Sequence, residues 1–243
     1  MSTRHLRSVP PEPAPLPARE AEIVKAVQED VIFGRIAPGA RITEDALLAR
    51  FPATRHLVRQ ALFQLERMGI VVHERNRGAA VRSLAPDEVL ELYALREMLQ
   101  RQAALAIPVP APEGLVARLR QLHEEYSAHV EGGRLPGVHE LNDRFHLTLF
   151  GGCGNRYLVE TIALYMRKSF PVRAALHISQ QVVGGEAGAH ADRAKLELSR
   201  SQHRTMIELL EGGDRWALAQ LCVEHLQPSK RDYLERIGAG PGR

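Results

Sequence analysis

The stretch from Arg50 to Arg82, "RFPATRHLVRQALFQLERMGIVVHERNRGAAVR", constrains the fold more than any other part of the chain. Within it Leu57, Val58, Ala61, Leu62, Leu65 and Met68 recur at the three- and four-residue intervals of a helix that buries one face. Thr54 stands just before them, and its hydroxyl can accept an orphan backbone N–H, so the helix is expected to start there. After Gly69 the runs "IVVH" and "AAVR" predict two short strands joined by a basic tip. Seven arginines (Arg50, Arg55, Arg59, Arg67, Arg75, Arg77, Arg82) stand against Glu66 and Glu74, while the whole chain of 243 residues carries only +3. A positive surplus this local is the electrostatic footprint of a nucleic-acid-binding element. Arg55, His56, Arg59 and Gln60 fall opposite the apolar stripe. There a helix lying in the DNA major groove offers side chains to base edges and phosphates. Arg75 and Arg77 at the tip are expected to reach the minor groove or phosphates, and Gly78 to let the backbone approach closely.

The flanking chain supports this element. Ile23, Val24, Val27 and Val31 give residues 19–33 the stripe of an amphipathic helix that should pack on the DNA-binding domain. Gly34 stops it, "APGA" makes a turn, and Thr43 caps a helix over Glu44–Arg50. Residues 1–17 hold five prolines and little that could be buried, so a disordered tail is expected there, with a flexible end at 238–243. Aromatics are only 5% of the chain, which argues against a stacking platform for single strands. Cys153 and Cys222 fit no metal or redox spacing, which suits a reduced cytosol. No apolar run approaches the ~18 residues needed to span a bilayer, and the N-terminus lacks the apolar core of a signal peptide. A protein that stays in the cytoplasm is expected.

From Pro86 the apolar period is helical throughout. Helices are predicted near 86–106, 113–132, 137–150, 155–178, 193–211 and 214–236, an all-α bundle of six or seven helices with Pro171 kinking the fourth. Several polar side chains share its apolar stripes. Arg96 lies among Val89, Leu92, Tyr93, Leu99 and Ala103, and needs a buried carboxylate or an anionic ligand. Asn142 and His146 sit beside Leu141, Phe145 and Leu149. His203 shares a stripe with Met206, Ile207 and Leu210, and His225 one with Leu218, Leu221 and Cys222. Each histidine alone reads as a satisfied core residue. Three converging from three helices would make a first-row transition-metal site, zinc above all.

Residues 31–82 resemble the winged helix-turn-helix domain of the GntR family of bacterial transcription regulators. "GRIAPGARITEDALLARF", "ATRHLVRQALFQLERMGIV" and "NRGAAVR" match its opening helix, recognition helix and wing in order and spacing. Pro52 stands where the family usually has Gly, so the turn must be shaped differently. Gln60 replaces a usual Glu. Residues 86–236 resemble the FCD ligand-binding domain of the FadR-type branch, through "ELYALREMLQ", "NDRFH", "GNRYLVE" and "QHRTMIELLEGGDRWALAQLCVEHL". Gln100 stands there in place of Glu. A count of six helices places the chain nearer the VanR-like subgroup.

The resemblance implies a mainly α protein: a DNA-binding winged helix-turn-helix domain over 18–83 and an FCD-like effector-binding and dimerisation domain over 84–237. It implies a homodimer that binds double-stranded DNA and answers to a small organic acid, usually as a repressor. It also implies a divalent metal at His146, His203 and His225, with Asn142 where the family has Asp, and an effector among these residues and Arg96. A neutral amide is the weaker ligand, and Asp143 lies about 100° further round the helix. Without a metal, the same residues line a polar pocket for an anion. A metal-dependent enzyme finds no support. No general base or nucleophile elbow accompanies the histidines, and "HEE" at His123 lacks the second histidine of a zinc-protease motif. A purely architectural nucleoprotein with an empty bundle is the remaining alternative.

Overall fold

The helix after Thr54 forms where the spacing predicts. It is α3 (Arg55–Arg67), in a computed structural model that describes residues 18–74, 78–133, 135–173 and 186–238. Thr54 Oγ1 accepts the Leu57 N–H at 3.3 Å. Val58, Ala61, Leu62 and Leu65 are buried, while Leu57 and Met68 are half-buried at the edge of the stripe. Gly69 ends the helix at φ +73°. Its N–H bonds the Glu66 carbonyl and the Ile70 N–H bonds that of Leu65, the left-handed cap that satisfies the last carbonyls. A Cβ at Gly69 would also lie 2.8 Å from Lys168 Cγ.

Two further helices and a small sheet complete this region. They are α1 (Ala18–Ile32) and α2 (Glu44–Arg50), with Thr43 Oγ1 accepting the Ala46 N–H at 3.1 Å. The strands β1 (Arg41–Ile42), β2 (Val71–Glu74) and β3 (Gly78–Val81) run antiparallel in the order β1-β3-β2. Val71 pairs with Val81, and Arg41 with Ala80. The sequence gives no sign of β1, because two residues are too few to show alternation. Pro52 is accommodated by a turn in which the Ala53 N–H bonds the Phe51 carbonyl at 2.8 Å. This i→i+2 closure suits a central residue at negative φ, so proline fits where the resembled family has glycine.

The stripes of α1 and α3 meet in one core. Val27, Val31, Val58, Ala61 and Leu65 are fully buried, joined by Ile70, Val71, Ala79 and Val81 from the sheet and by Phe170 from far along the chain. Buried Asp30 accepts from Arg35 Nε at 2.6 Å and also from Arg50 Nη1. Arg50 therefore balances a desolvated carboxylate. Arg82, half-exposed, bonds Glu88 Oε1 at 2.9 Å, and the same carboxylate caps the Ala85 N–H at the start of the next helix.

Beyond Pro86 the chain is helical: α4 (Pro86–Ala106), α5 (Glu113–Glu131), α6 (Leu135–Gly151), α7 (Arg156–Lys168), α8 (Glu186–Gly212), α9 (Arg215–Glu224) and α10 (Gln227–Gly238). Three boundaries differ from the sequence reading. The helix expected over 155–178 is interrupted: α7 ends at Lys168, Ser169 forms a turn, and residues 170–173 are helical again around Pro171, whose nitrogen cannot donate back to Arg167. The predicted stretch beyond 173 lies outside the described residues up to 185. Helix α8 starts at Glu186 rather than near 193, since Gly188 alone among good helix formers costs only about 1 kcal/mol. The helix expected over 214–236 is two, with a break at His225 and Leu226. Pro228 removes the donor that would bond Glu224, so the chain re-enters a helix with proline in its first turn. Helices α4 to α10 make seven among the described residues, the upper of the two expected counts, so the count of six that favoured the VanR-like placement is not met.

The described residues fall into two compact units. One holds residues 18–92, 164–173 and 229–238, and is the region of the sheet and α1–α3. Within it the Tyr233 hydroxyl donates to the Leu84 carbonyl at 2.7 Å. The other holds residues 93–163 and 186–228. There Leu119, Leu122, Tyr126, Phe145, Leu149, Met206, Leu210 and Leu218 are buried. No helix of the described residues is long and apolar enough to cross a membrane.

Phe170 is 6% exposed in the core of the first unit. Phe170→Ala is expected to cost about 3–5 kcal/mol, as for other buried phenylalanines. Hydrogen exchange of the full chain checks this: protection should fall at α1 and α3, more than a hundred residues away in sequence. Unchanged protection there would remove Phe170 from that core.

Candidate functional site

The exposed side of α3 is set by its buried stripe. Arg55, His56, Arg59 and Gln60 are all exposed. Arg55 Nη2 lies 2.9 Å from Asp45 Oδ1 and its Nη1 3.6 Å from Glu44 Oε2. Arg59 Nε donates to Glu44 Oε1 at 2.7 Å. The hydrogen bond from Arg59 is the main reason the Glu44 carboxyl is held below its usual range. Gly78 opens β3 at φ +80°, and among the described residues nothing beyond its chain neighbours lies within 4 Å of where a Cβ would sit. Arg75 and Arg77 lie outside the described residues.

The charge count of the sequence overstates what this face offers, since Arg50 is committed to Asp30 and Arg82 to Glu88. Sequence reasoning also missed Phe63. It is 54% exposed, at i+4 from Arg59 and i+3 from Gln60 on the same side of α3. The available signal was a large aromatic lying off the apolar stripe.

In the second unit three histidines do converge. His146 on α6, His203 on α8 and His225 at the C-cap of α9 bring their ligating nitrogens within 4.8 Å of one another. The Nε2 atoms of His146 and His225 are 3.0 Å apart, those of His203 and His146 3.2 Å. The break after α9 that the sequence reading missed is what leaves His225 at a helix end. His203 is fully buried, stacked on Phe145 with ring centroids 4.2 Å apart. Burial, with smaller contributions from His225 and His123, pushes its imidazole well below the ordinary value, so it is neutral at pH 7. His225 Nδ1 and Gln202 Oε1 are 2.7 Å apart. Since Gln202 oxygen only accepts, Nδ1 carries the proton and the Nε2 lone pair faces the cluster.

Asn142 is half-buried one turn before His146, and its amide donates to Asp143 Oδ1 at 3.2 Å. No carboxylate among the described residues joins the histidine group, so Asp143 does not replace the missing acid. Arg96 is buried on α4 with its guanidinium 5.0 Å from the centroid of the Tyr93 ring. His123, overlooked as a site residue, lies edge-on to His203 at 6.5 Å between centroids. Its imidazole is lowered by burial, then by Arg204 and Arg200. Only the fold reveals it, because nothing in the spacing of "HEE" links it to residue 203.

The donor set fits a divalent cation. First-row metals bind imidazole nitrogen at about 2.0–2.1 Å, which places two such nitrogens about 3 Å apart. Three imidazole nitrogens gathered this closely, on two buried rings and one half-buried ring, are the donor type that such an ion takes once they are deprotonated.

Comparison with known proteins bears on both regions. Residues 19–81 match the family of bacterial regulatory proteins called gntR, and residues 91–228 match the FCD domain. The chain belongs to the GntR family, in the branch that carries an FCD domain. It is a DNA-binding transcription regulator and not an enzyme. This GntR-family chain is 27% identical over 202 residues to the Nta operon transcriptional regulator of Aminobacter aminovorans, covering 82% of this chain and 87% of that one. It is 27% identical over 135 residues to the HTH-type transcriptional repressor RspR of Escherichia coli (strain K12), covering 54% and 59%. The fold matches E. coli McbR/YncC with a TM-score of 0.72 at 18% identity, over 91% of this chain and 100% of that one. It also matches a putative transcriptional regulator GntR from Rhodococcus sp. RHA1, with a TM-score of 0.68 at 21% identity, over 90% and 99%.

The capping hydroxyl at the start of α3 gives a direct test. Thr54→Ala is expected to destabilise α3 by about 1 kcal/mol. Amide exchange at Arg55, His56 and Leu57 should then speed up relative to the rest of the helix. Unaltered exchange would show that the cap contributes nothing.

Proposed function

We propose that this regulator binds a near-palindromic operator as a homodimer, acts as a repressor, and is controlled by a small organic acid held in its C-terminal domain. Residues 18–83 are the DNA-binding part and 84–237 the effector-binding and dimerisation part. Arg55, His56, Arg59 and Gln60 face the major groove, and Arg75, Arg77 and Gly78 belong to the wing. A twofold dimer places two such helices in successive major grooves. The reading of repression is supported by the name of the relative RspR.

The observation that carries the effector site is the meeting of three imidazoles, two buried and one half-buried, in the unit that does not contain α3. His146, His203 and His225 would hold a divalent metal, zinc or similar, with Asn142 beside them, and Arg96 would be a further contact for the effector. When bound, such an ion supplies a Lewis acid for a carboxylate. Gln202 holds the ring of His225, and Phe145 covers the face of His203, so both rings stay oriented. An effector changes operator affinity only as far as it binds the two states of the dimer differently.

Two expected outcomes check this. Arg59→Ala should cost the about 1–3 kcal/mol of a good bidentate base contact in operator binding. A smaller loss would exclude that role. Asn142→Asp should tighten binding of Zn²⁺ by at least the about tenfold that changes one shell further out carry. Titration calorimetry on the full chain reads this directly. Equal affinities for the wild type and the variant would place Asn142 outside the coordination sphere.

A further inference from the structure

Glu44 is the first residue of α2, and it faces both arginines of the recognition face. Its Oε1 takes the Arg59 Nε–H at 2.7 Å, and its Oε2 stands 3.6 Å from Arg55 Nη1. Its side chain is 29% exposed, against 67% for Arg59 and 61% for Arg55, so it lies beneath the two guanidinium groups. The Thr43 cap fixes where α2 begins, and therefore where this carboxylate is held.

A guanidinium can engage an acceptor pair through the edge containing Nε or through its two terminal amino groups. In Arg59 the first edge is committed to Glu44. The terminal amino groups have no partner among the described residues. Guanine is the base that presents two neighbouring acceptors, N7 and O6, in the major groove. The end of an arginine matches that pair, and matches no other base as well. The same carboxylate offsets part of the positive charge that Arg55 and Arg59 would otherwise offer to any phosphate. An exposed ion pair of this kind contributes little to folding, so its placement against α3 needs another reason.

We propose that Glu44 is a positioning residue that presents Arg59 end-on to a guanine in each operator half-site and lowers attraction to other sequences. This rests on the reading of Arg59 as a base contact. Specificity then comes from a pair of residues on two helices. The acid contributes by narrowing the ways in which the arginine can bind.

The test begins with duplexes selected from a random library by the full-length protein. Each guanine is then replaced in turn by 7-deazaguanine, which lacks the N7 acceptor. The wild type should lose about tenfold in affinity at one guanine per half-site. Arg59→Ala should be indifferent to that replacement. Glu44→Ala should lose most of the sensitivity, and should bind random duplex more tightly with a salt dependence steeper by about 0.9 in the log–log slope. Glu44→Gln keeps an acceptor for Nε without the charge. It should restore the guanine sensitivity while retaining the stronger random binding. Asp45→Ala, which alters only the Arg55 pair, should keep the sensitivity of the wild type. Full sensitivity in Glu44→Ala with none in Arg59→Ala overturns the positioning role and leaves the base contact standing. Full sensitivity in Arg59→Ala overturns both. Circular dichroism melting separates these outcomes from loss of folding.

Discussion

Everything the DNA-binding unit displays depends on the apolar contact between α1 and α3. Val27 and Val31 from one helix, and Val58, Ala61 and Leu65 from the other, have no exposed surface. Each valine or leucine among them contributes roughly 1.5–3 kcal/mol by leaving water, and the single methyl of Ala61 less. The contact also fixes the rotation of α3 about its axis. Once Val58 and Leu65 point inward, Arg55, Arg59 and Gln60 must point outward. Rotating the helix by one residue would bury an arginine and expose a leucine. The direction of the charged face therefore follows from hydrophobic packing, and electrostatics acts only on what packing has already placed.

The histidine cluster depends on a different constraint. Three imidazoles meet only because α6, α8 and the end of α9 stop and start at particular residues. Pro228 matters as much as the ligands, since it forces the break that leaves His225 at a helix end. Packing then does the chemical tuning. Phe145 and Tyr126 surround His203, and the resulting loss of hydration keeps that ring neutral. A hydrophobic neighbourhood thus prepares nitrogen lone pairs, with no carboxylate of the described residues in the group to assist.

Much of this could be read directly from the chain. The stripe from Val58 to Leu65, the caps at Thr43 and Thr54, and the inward histidines are periodic or local signals, and local signals survive folding. What stayed hidden depends on contacts between distant residues. Arg50 looks like an arginine for DNA until Asp30, twenty residues earlier, is found against it. Glu44 looks like a helix-dipole residue until Arg59 is found bonded to it. The two-residue β1 exists only because β3 offers it a partner. The split at His225 was legible, because Pro228 announces it, and the uninterrupted apolar pattern on both sides masked it.

The membership of Phe170 has an evolutionary consequence. The compact unit that holds the DNA-binding helices, the headpiece, is not made of residues 18–83 alone, because residues 164–173 and 229–238 pack within it. A recombination event that joined residues 1–83 to another sensor would transplant a headpiece with a hole in its floor. New sensors could be acquired only by lineages that brought a replacement plug with them. Exchange of sensing modules should thus leave its trace in paired changes between the floor of the headpiece and the segment that fills it.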